Sequence, residues 1–155
     1  MKAIMDFVRK LGADFVLSAD FTVEKAFRYF LLDSSLKELA RRDFYYAGFF
    51  LGKVKGDLFF PSFNLLAMLA KGKANKIFVG KKAAWLFICG RDVFHKGVLT
   101  VKGSQRKGDY ALVMNEFGEC LGFGKIMGSI DDAVHGDEVT LKNISDVGDF
   151  LRREP

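Results

Sequence analysis

The chain has 155 residues, 50% of them hydrophobic and 17 of them phenylalanine, so it is no disordered polymer and can bury a core as one domain or two small ones. Its net charge of +5 suits an anionic partner. The longest apolar runs, FYYAGFF and FFPSFNLLAMLA, are too short for a membrane-spanning helix of roughly 20 residues. Lys2, Asp6, Arg9 and Lys10 interrupt any secretory leader, and the expected compartment is the cytoplasm.

Met1 to Leu11 places Ile4, Phe7, Val8 and Leu11 at helical spacing, and Gly12 supplies the stop. Phe15 to Leu17 and Phe27 to Leu32 read as strands. Asp33-Ser34-Ser35 is an N-cap cluster for a helix over Ser34 to Arg42, with Leu36, Leu39 and Ala40 as its apolar stripe. Phe44 to Val54 is the longest strand candidate, and Gly56-Asp57 turns it into a second strand, Leu58 to Phe60. Ser62 can cap a helix over Phe63 to Ala70. The polar KGKANK that follows marks a boundary, dividing an N-terminal unit, 1–74, from a C-terminal unit, 75–155.

In the second unit, Ile77 to Gly80 is a short strand, Ala83 to Cys89 a short helix and Val98 to Lys102 a strand. Trp85, behind two alanines on that helix, reads as core. Gly108 to Ser129 is a β-hairpin: Tyr110 to Met114 is a strand, Asn115-Glu116-Phe117-Gly118 a turn closed by Gly118, and Cys120 to Met127 the returning strand. Gly122 and Gly124 fall on one face of it and leave that face bare for close approach of another backbone. A polar loop over 129–137 leads to an alternating strand, Glu138 to Lys142, and Asp146 to Arg153 closes the chain as a short helix or turn.

Cys89 and Cys120 sit in apolar contexts and read as buried thiols of a reducing compartment. With His95 and His135 the only histidines and no phosphate-binding or dinucleotide glycine motif, the sequence offers no catalytic constellation, and no metal or cofactor is implied. Asp131-Asp132 with Asp137-Glu138 reads as a solvated acidic loop. Charge is more informative. Residues 76 to 107 carry eight basic side chains against Asp92 alone, a balance of +7, whereas residues 108 to 155 carry four basic and ten acidic, a balance of −6. Such a split polarises a small domain's surface, as a polyanion-binding protein requires.

The succession of KIFVGKKAAWLFICGRDVFHKGVL, GDYALVMNEFGECLGFGKIMGS and KNISDVGDFLRRE resembles a PUA domain, a small RNA-binding pseudobarrel. The pattern is Gly90 and Gly97, the turn Asn115 to Glu119, and Leu121 to Lys125. Preceded by an α/β unit containing YYAGFFLGKVKGDLFFPSFNLLAMLA, the whole resembles the Nip-type ribosome-biogenesis proteins, namely the eukaryotic nuclear import protein seven and its archaeal relatives. Short length and the lack of a nuclear signal favour an archaeal type. The fold implied is α+β: a small N-terminal α/β domain with an antiparallel sheet, then a PUA-type β-pseudobarrel. The implied role is non-catalytic binding of precursor ribosomal RNA during large-subunit assembly, alongside other assembly proteins. Other readings are an RNA-modification enzyme or its accessory subunit, and a protein-interaction adaptor with incidental RNA affinity.

The resemblance directs attention to particular cations. Gly90, Arg91, Lys96 and Gly97 combine close backbone approach with phosphate-pairing charge. Lys81 and Lys82 precede the short helix, Arg106 and Lys107 occupy a loop between strands, Lys125 follows the bare strand face, and Lys142, Arg152 and Arg153 belong to the closing segment. The family's basic cluster on the strand before DVGDFLRR is reduced here to Lys142, with Glu138 and Val139 at positions where bases are expected, so the RNA surface is expected to move toward 81–107. Tyr45, Tyr46, Phe49 and Phe50, on a stretch apolar on both sides, mark either core, a surface between the two units or a protein partner site.

Overall fold

The structure, a computed structural model, describes residues 1–128, 136–149 and 152. Helix α1 (Lys2–Lys10) buries Ile4, Phe7 and Val8. It ends as the sequence dictates: Gly12, at φ +62°, donates to Arg9 O (3.0 Å), and Ala13 N–H reaches back to Val8 O (3.1 Å), the paired bonds of a Schellman cap. Four antiparallel strands follow as a meander, β1 (Thr22–Lys25), β2 (Arg28–Leu31), β3 (Phe49–Lys55) and β4 (Leu58–Pro61). Helix α3 (Phe63–Lys71) is capped by Ser62, whose Oγ accepts from Leu65 N–H at 3.1 Å.

Several N-terminal expectations change. Phe15 to Leu17 joins no ladder, and β1 lies instead at 22–25, hidden in the sequence because its hairpin turn is Ala26-Phe27. Both turn residues have positive φ (50° and 62°), a conformation usually signalled by Asn-Gly. The long strand begins at Phe49 rather than Phe44. At Gly48 (φ +60°) the chain passes so close to Leu31 that a Cβ would strike its carbonyl, and the preceding segment turns over the sheet, setting Phe44 and Tyr46 against Phe30. The helix from Ser34 divides into a single turn, α2 (Ser34–Lys37), capped by Asp33, and a 3-10 turn at Leu39–Arg41.

The second half forms a six-stranded sheet in the order β6-β10-β9-β8-β5-β7. Its strands are β5 (Lys76–Val79), β6 (Val93–Phe94), β7 (Val98–Lys102), β8 (Tyr110–Met114), β9 (Cys120–Ile126) and β10 (Val139–Asp146). β5 and β8 run parallel, and the other pairs are antiparallel. Ile77, Val79, Ala111, Val113, Ile126 and Leu141 face inward and meet Phe87 of helix α4 (Lys81–Ile88) in one core. Two glycines let β10 close on β9: a Cβ on Gly124 would collide with Leu141 and the Lys142 carbonyl, and one on Gly122 would lie 2.7 Å from Asp146 Cα. The bare strand face is therefore used in packing.

The alternate residues of β8 and β9, namely Leu112, Met114 and Phe123, face outward into the core that also holds α1, α3, Tyr29, Leu51 and Phe59. Phe7 is the wedge, with ring centroids 5.6 Å from Phe59, 5.8 Å from Tyr110 and 5.1 Å from Phe123. Asn75, at the polar stretch between the halves, is buried and ties them together. Its N–H donates to Leu11 O (2.8 Å) and its Nδ2 to Tyr110 O (3.0 Å), while its Oδ1 accepts from Ser104 N–H (2.8 Å).

Two side chains read as core lie outside it. Trp85 is 62% exposed, because Ala83, Ala84 and Phe87 take the inward face of α4 and Trp85 projects from the opposite one. Cys89 is exposed at the C-cap of α4, whereas Cys120 is half-buried, and burial pushes its thiol above the usual range. Among the described residues no helix is long and apolar enough to cross a membrane.

Because Phe7 belongs to both halves at once, Phe7→Ala should destabilise the protein by about 3–5 kcal/mol. Denaturant unfolding followed by Trp85 fluorescence and by far-UV circular dichroism should give coincident transitions in the wild type and at the lower midpoint of the variant. Separate transitions would show that the halves unfold independently.

Candidate nucleic-acid interface

Helix α4 carries the first group of cations. Its N-cap is Gly80, without a side-chain acceptor, and the Lys81 N–H donates instead to Glu116 Oε1 (3.1 Å) from the β8–β9 turn. Lys81 and Lys82 are exposed, and they lie four and three residues before Trp85, on the face that Trp85 shares. An exposed indole flanked by two lysines is a stacking platform beside phosphate-pairing charge. Sequence reading placed Trp85 in the core, although the inward spacing of Ala83, Ala84 and Phe87 leaves only the outer face for it.

The segment after α4 is more constrained. Gly90 (φ +86°) donates to Phe87 O (2.9 Å) and Arg91 N–H to Leu86 O (3.0 Å), a second Schellman cap. A Cβ on Gly90 would lie 3.3 Å from Arg152 Nη2, and one on Gly97 would sit 2.6 Å from Ala83 Cβ. Both glycines thus admit neighbouring protein. β6 is hydrogen-bonded along β10, with Phe94 opposite Val139, His95 N–H donating to Glu138 O (2.9 Å) and Lys96 N–H to Gly136 O (3.1 Å). Lys96 pairs with Asp137 at 2.6 Å, which holds that carboxyl below its ordinary range. Arg91 is exposed and makes no ion pair among the described residues.

The second group stands on the sheet. Lys125 of β9 faces Tyr110 on one side and Lys142 of β10 on the other, in direct register. Side chains so placed are roughly 5 Å apart at Cβ, and two like charges there repel unless an anion joins them. Both lysines are exposed and without an ion pair among the described residues, and Lys10 lies 5.4 Å over the Tyr110 ring. The loop bearing Arg106 and Lys107 is fastened one residue beyond Lys125, by Gly108 N–H to Ile126 O and Ile126 N–H to Asp109 O, each 2.9 Å. Arg106 touches Asp109 at 3.4 Å while remaining 85% exposed, and Lys107 is exposed.

Arg152 works inside the protein. It bonds Asp146 Oδ2 (2.7 Å) and Asp149 Oδ1 (2.8 Å) and donates to Ile88 O, fastening the end of β10 to α4. The hydrogen bond to Asp146 chiefly raises its already high pKa, so it stays charged throughout the working range. Asp146 is 1% exposed and also accepts from Asn143 Nδ2 (3.0 Å). Arg153, His135, Asp131 and Asp132 lie outside the described residues.

A mixed α+β chain with an antiparallel sheet packed against a curled six-stranded sheet, closed by a short helix, defines a protein with a PUA-type pseudobarrel. Residues 75–155 match the UPF0113 PUA domain, and the chain belongs to that family. A "UPF0113 protein" of Archaeoglobus fulgidus is 30% identical over 112 residues, or 71% of this chain, and the match spans 63% of that relative's own length. A conserved PUA domain protein from Thermoplasma acidophilum superposes with a TM-score of 0.66 at 18% identity, covering 98% of this chain and 93% of that one. A PUA domain from Aeropyrum pernix K1, solved as a tartrate complex, superposes with a TM-score of 0.54 at 19% identity, covering 61% and 55%. At these identities the likeness is one of fold, and over the Thermoplasma protein it extends to the N-terminal half.

Arg152→Ala leaves the buried Asp146 carboxylate without its cation and should lower the melting temperature by several degrees at neutral pH. A melting temperature equal to that of the wild type would show that the ion pair does not hold the closing segment.

Proposed function

We propose that the protein is a non-catalytic RNA-binding factor whose PUA domain grips RNA through cations, and that it serves assembly of the large ribosomal subunit. PUA domains generally bind RNA, and the observation that carries the reading here is the opposed pair Lys125 and Lys142. Like charges in direct register, with no counter-ion among the described residues, are an arrangement that a phosphate relieves. Arg106 and Lys107 extend this surface, and Lys81, Lys82, Arg91 and Trp85 supply another along α4. Retention of Lys142, with Glu138 and Val139 beside it, leaves the charge concentrated on β9 and the 103–109 loop rather than along β10. The assembly role, in the cytoplasm and alongside other assembly proteins, rests on the resemblance to Nip-type proteins across both halves.

Binding of this kind is electrostatic and weakens with salt. Lys125→Ala with Lys142→Ala, or Arg106→Ala with Lys107→Ala, should lower affinity for a structured RNA and reduce the log-log salt slope by about 0.7–0.9 per lost phosphate contact. Unchanged affinity and slope in both double variants would remove the interface from this face. For the finer role, crosslinking in cells followed by sequencing should recover precursor RNA of the large subunit. Recovery of other RNA alone would refute the assembly assignment while leaving RNA binding intact.

A further inference from the structure

The second face of the N-terminal sheet has no part in the surface described above. Tyr29, Val54 and Phe59 pack on the shared core, so their neighbours Arg28, Phe30, Lys53 and Phe60 point the other way. Together with Phe50, Tyr45 and Tyr46 they line an open groove of about 620 Å³, a volume that accommodates a nucleotide-sized ligand. Its aromatic groups are ordered by contacts beneath them. Phe30 is buried under Tyr46 and Phe50, at ring-centroid distances of 5.4 Å from each, while Tyr46 remains 57% exposed and Tyr45 82% exposed. Tyr46 is thus held in place with much of its surface in water.

The charge of the groove identifies its occupant. Arg28 and Lys53 are directly opposed in the β2–β3 register, again like charges facing each other, and neither makes an ion pair among the described residues. Arg28 lies over the Tyr45 ring at 5.3 Å, a cation–π contact that sets guanidinium and phenol side by side. The groove's acid, Asp149, already has Arg152 as its partner. At the far end Asn64 offers a side-chain amide able to bond the edge of a base. An apolar helix from another protein would meet two charges whose desolvation it could not compensate. A chain with flat rings and regularly spaced anions meets both needs.

We infer that this groove binds unpaired nucleotides of RNA, with bases stacked on Tyr45 and Tyr46 and phosphates held by Arg28 and Lys53. The inference rests on the RNA-binding reading and adds a second contact to it, on the N-terminal half, for a single-stranded segment next to the RNA gripped by the PUA domain.

The test uses the full chain and two probes, a single-stranded hexauridylate carrying one 4-thiouridine and a hairpin RNA without unpaired ends. Tyr45→Ala with Tyr46→Ala, and separately Arg28→Ala with Lys53→Ala, should each weaken hexauridylate binding about tenfold or more and leave hairpin binding within twofold. Photo-crosslinking of the thiouridine in the wild type should map to Tyr45 or Tyr46. The Lys125→Ala, Lys142→Ala variant should show the converse pattern. Hexauridylate binding at wild-type strength in both groove variants, or a crosslink mapping elsewhere, overturns the groove site while the PUA interface stands. A wild type that binds neither probe overturns both readings. An acidic peptide that displaces hexauridylate no better than an uncharged peptide sustains the assignment, and one that binds the groove more tightly than hexauridylate makes it a protein-docking site and overturns it.

Discussion

The insertion of Phe7 between Phe59 and the Tyr110–Phe123 pair is the contact on which the arrangement depends. It applies the N-terminal sheet and helices to the outer face of β8 and β9, so that Leu112, Met114 and Phe123 are covered although they lie outside the pseudobarrel. The apolar part of that face is consumed by packing, and what remains at its margin is Lys125, Lys142 and the 103–109 loop. The cationic surface is therefore the uncovered remainder of a docking surface. Its position follows from where the N-terminal half stops.

Polar groups fix the geometry that the apolar contact leaves loose. Asn75 joins the end of α1, the start of β5, β8 and the loop before it, all from one buried side chain and its peptide. Gly12 and Gly103 both approach it too closely to carry a Cβ. At the opposite end, Arg152 and Asn143 converge on Asp146 and hold β10 to α4. Buried polar groups with several partners are directional where apolar packing is not, and they specify one docking of the two halves rather than a range.

Much of this is legible in the sequence because local rules act there without competition. The hairpin at 108–129 carries its own turn chemistry, with Asn115 Oδ1 accepting from Phe117 and Glu119 N–H and Gly118 at φ +78°. The α1 stripe and the Ser62 cap are equally local. The rest depends on tertiary context. β1 is disguised by a turn of Ala26 and Phe27, held at positive φ by pairing on both sides. The aromatic run from Phe44 to Phe50 has the composition of one strand but is bent at Gly48, which converts half of it into the wall of a groove. Of the cations singled out by sequence, Lys81, Lys82, Arg91, Lys107, Lys125 and Lys142 are exposed without ion pairs among the described residues. Lys96, Arg106 and Arg152 have acidic partners, and Gly90 and Gly97 serve packing. Lys96 finds Asp137 from a distant segment, which no sequence rule reveals, whereas Arg106 and Arg152 pair with Asp109 and Asp149 three residues away, a spacing the sequence does show.

Two like-charge pairs recur in this fold, Lys125 with Lys142 at the uncovered margin of the packed β8–β9 face and Arg28 with Lys53 on the opposite face of the N-terminal sheet. The account holds that phosphates complete the first of them, and the most direct measurement is a titration of isotopically labelled protein with a structured RNA, followed by amide and lysine side-chain resonances. The account predicts salt-sensitive shifts concentrated at Lys125, Lys142, Arg106 and Lys107 and along the outer face of α4, with Ile77 and Val113 inside the pseudobarrel unmoved. A spectrum unchanged by RNA, or one in which those lysines stay silent while other surfaces respond, would contradict it.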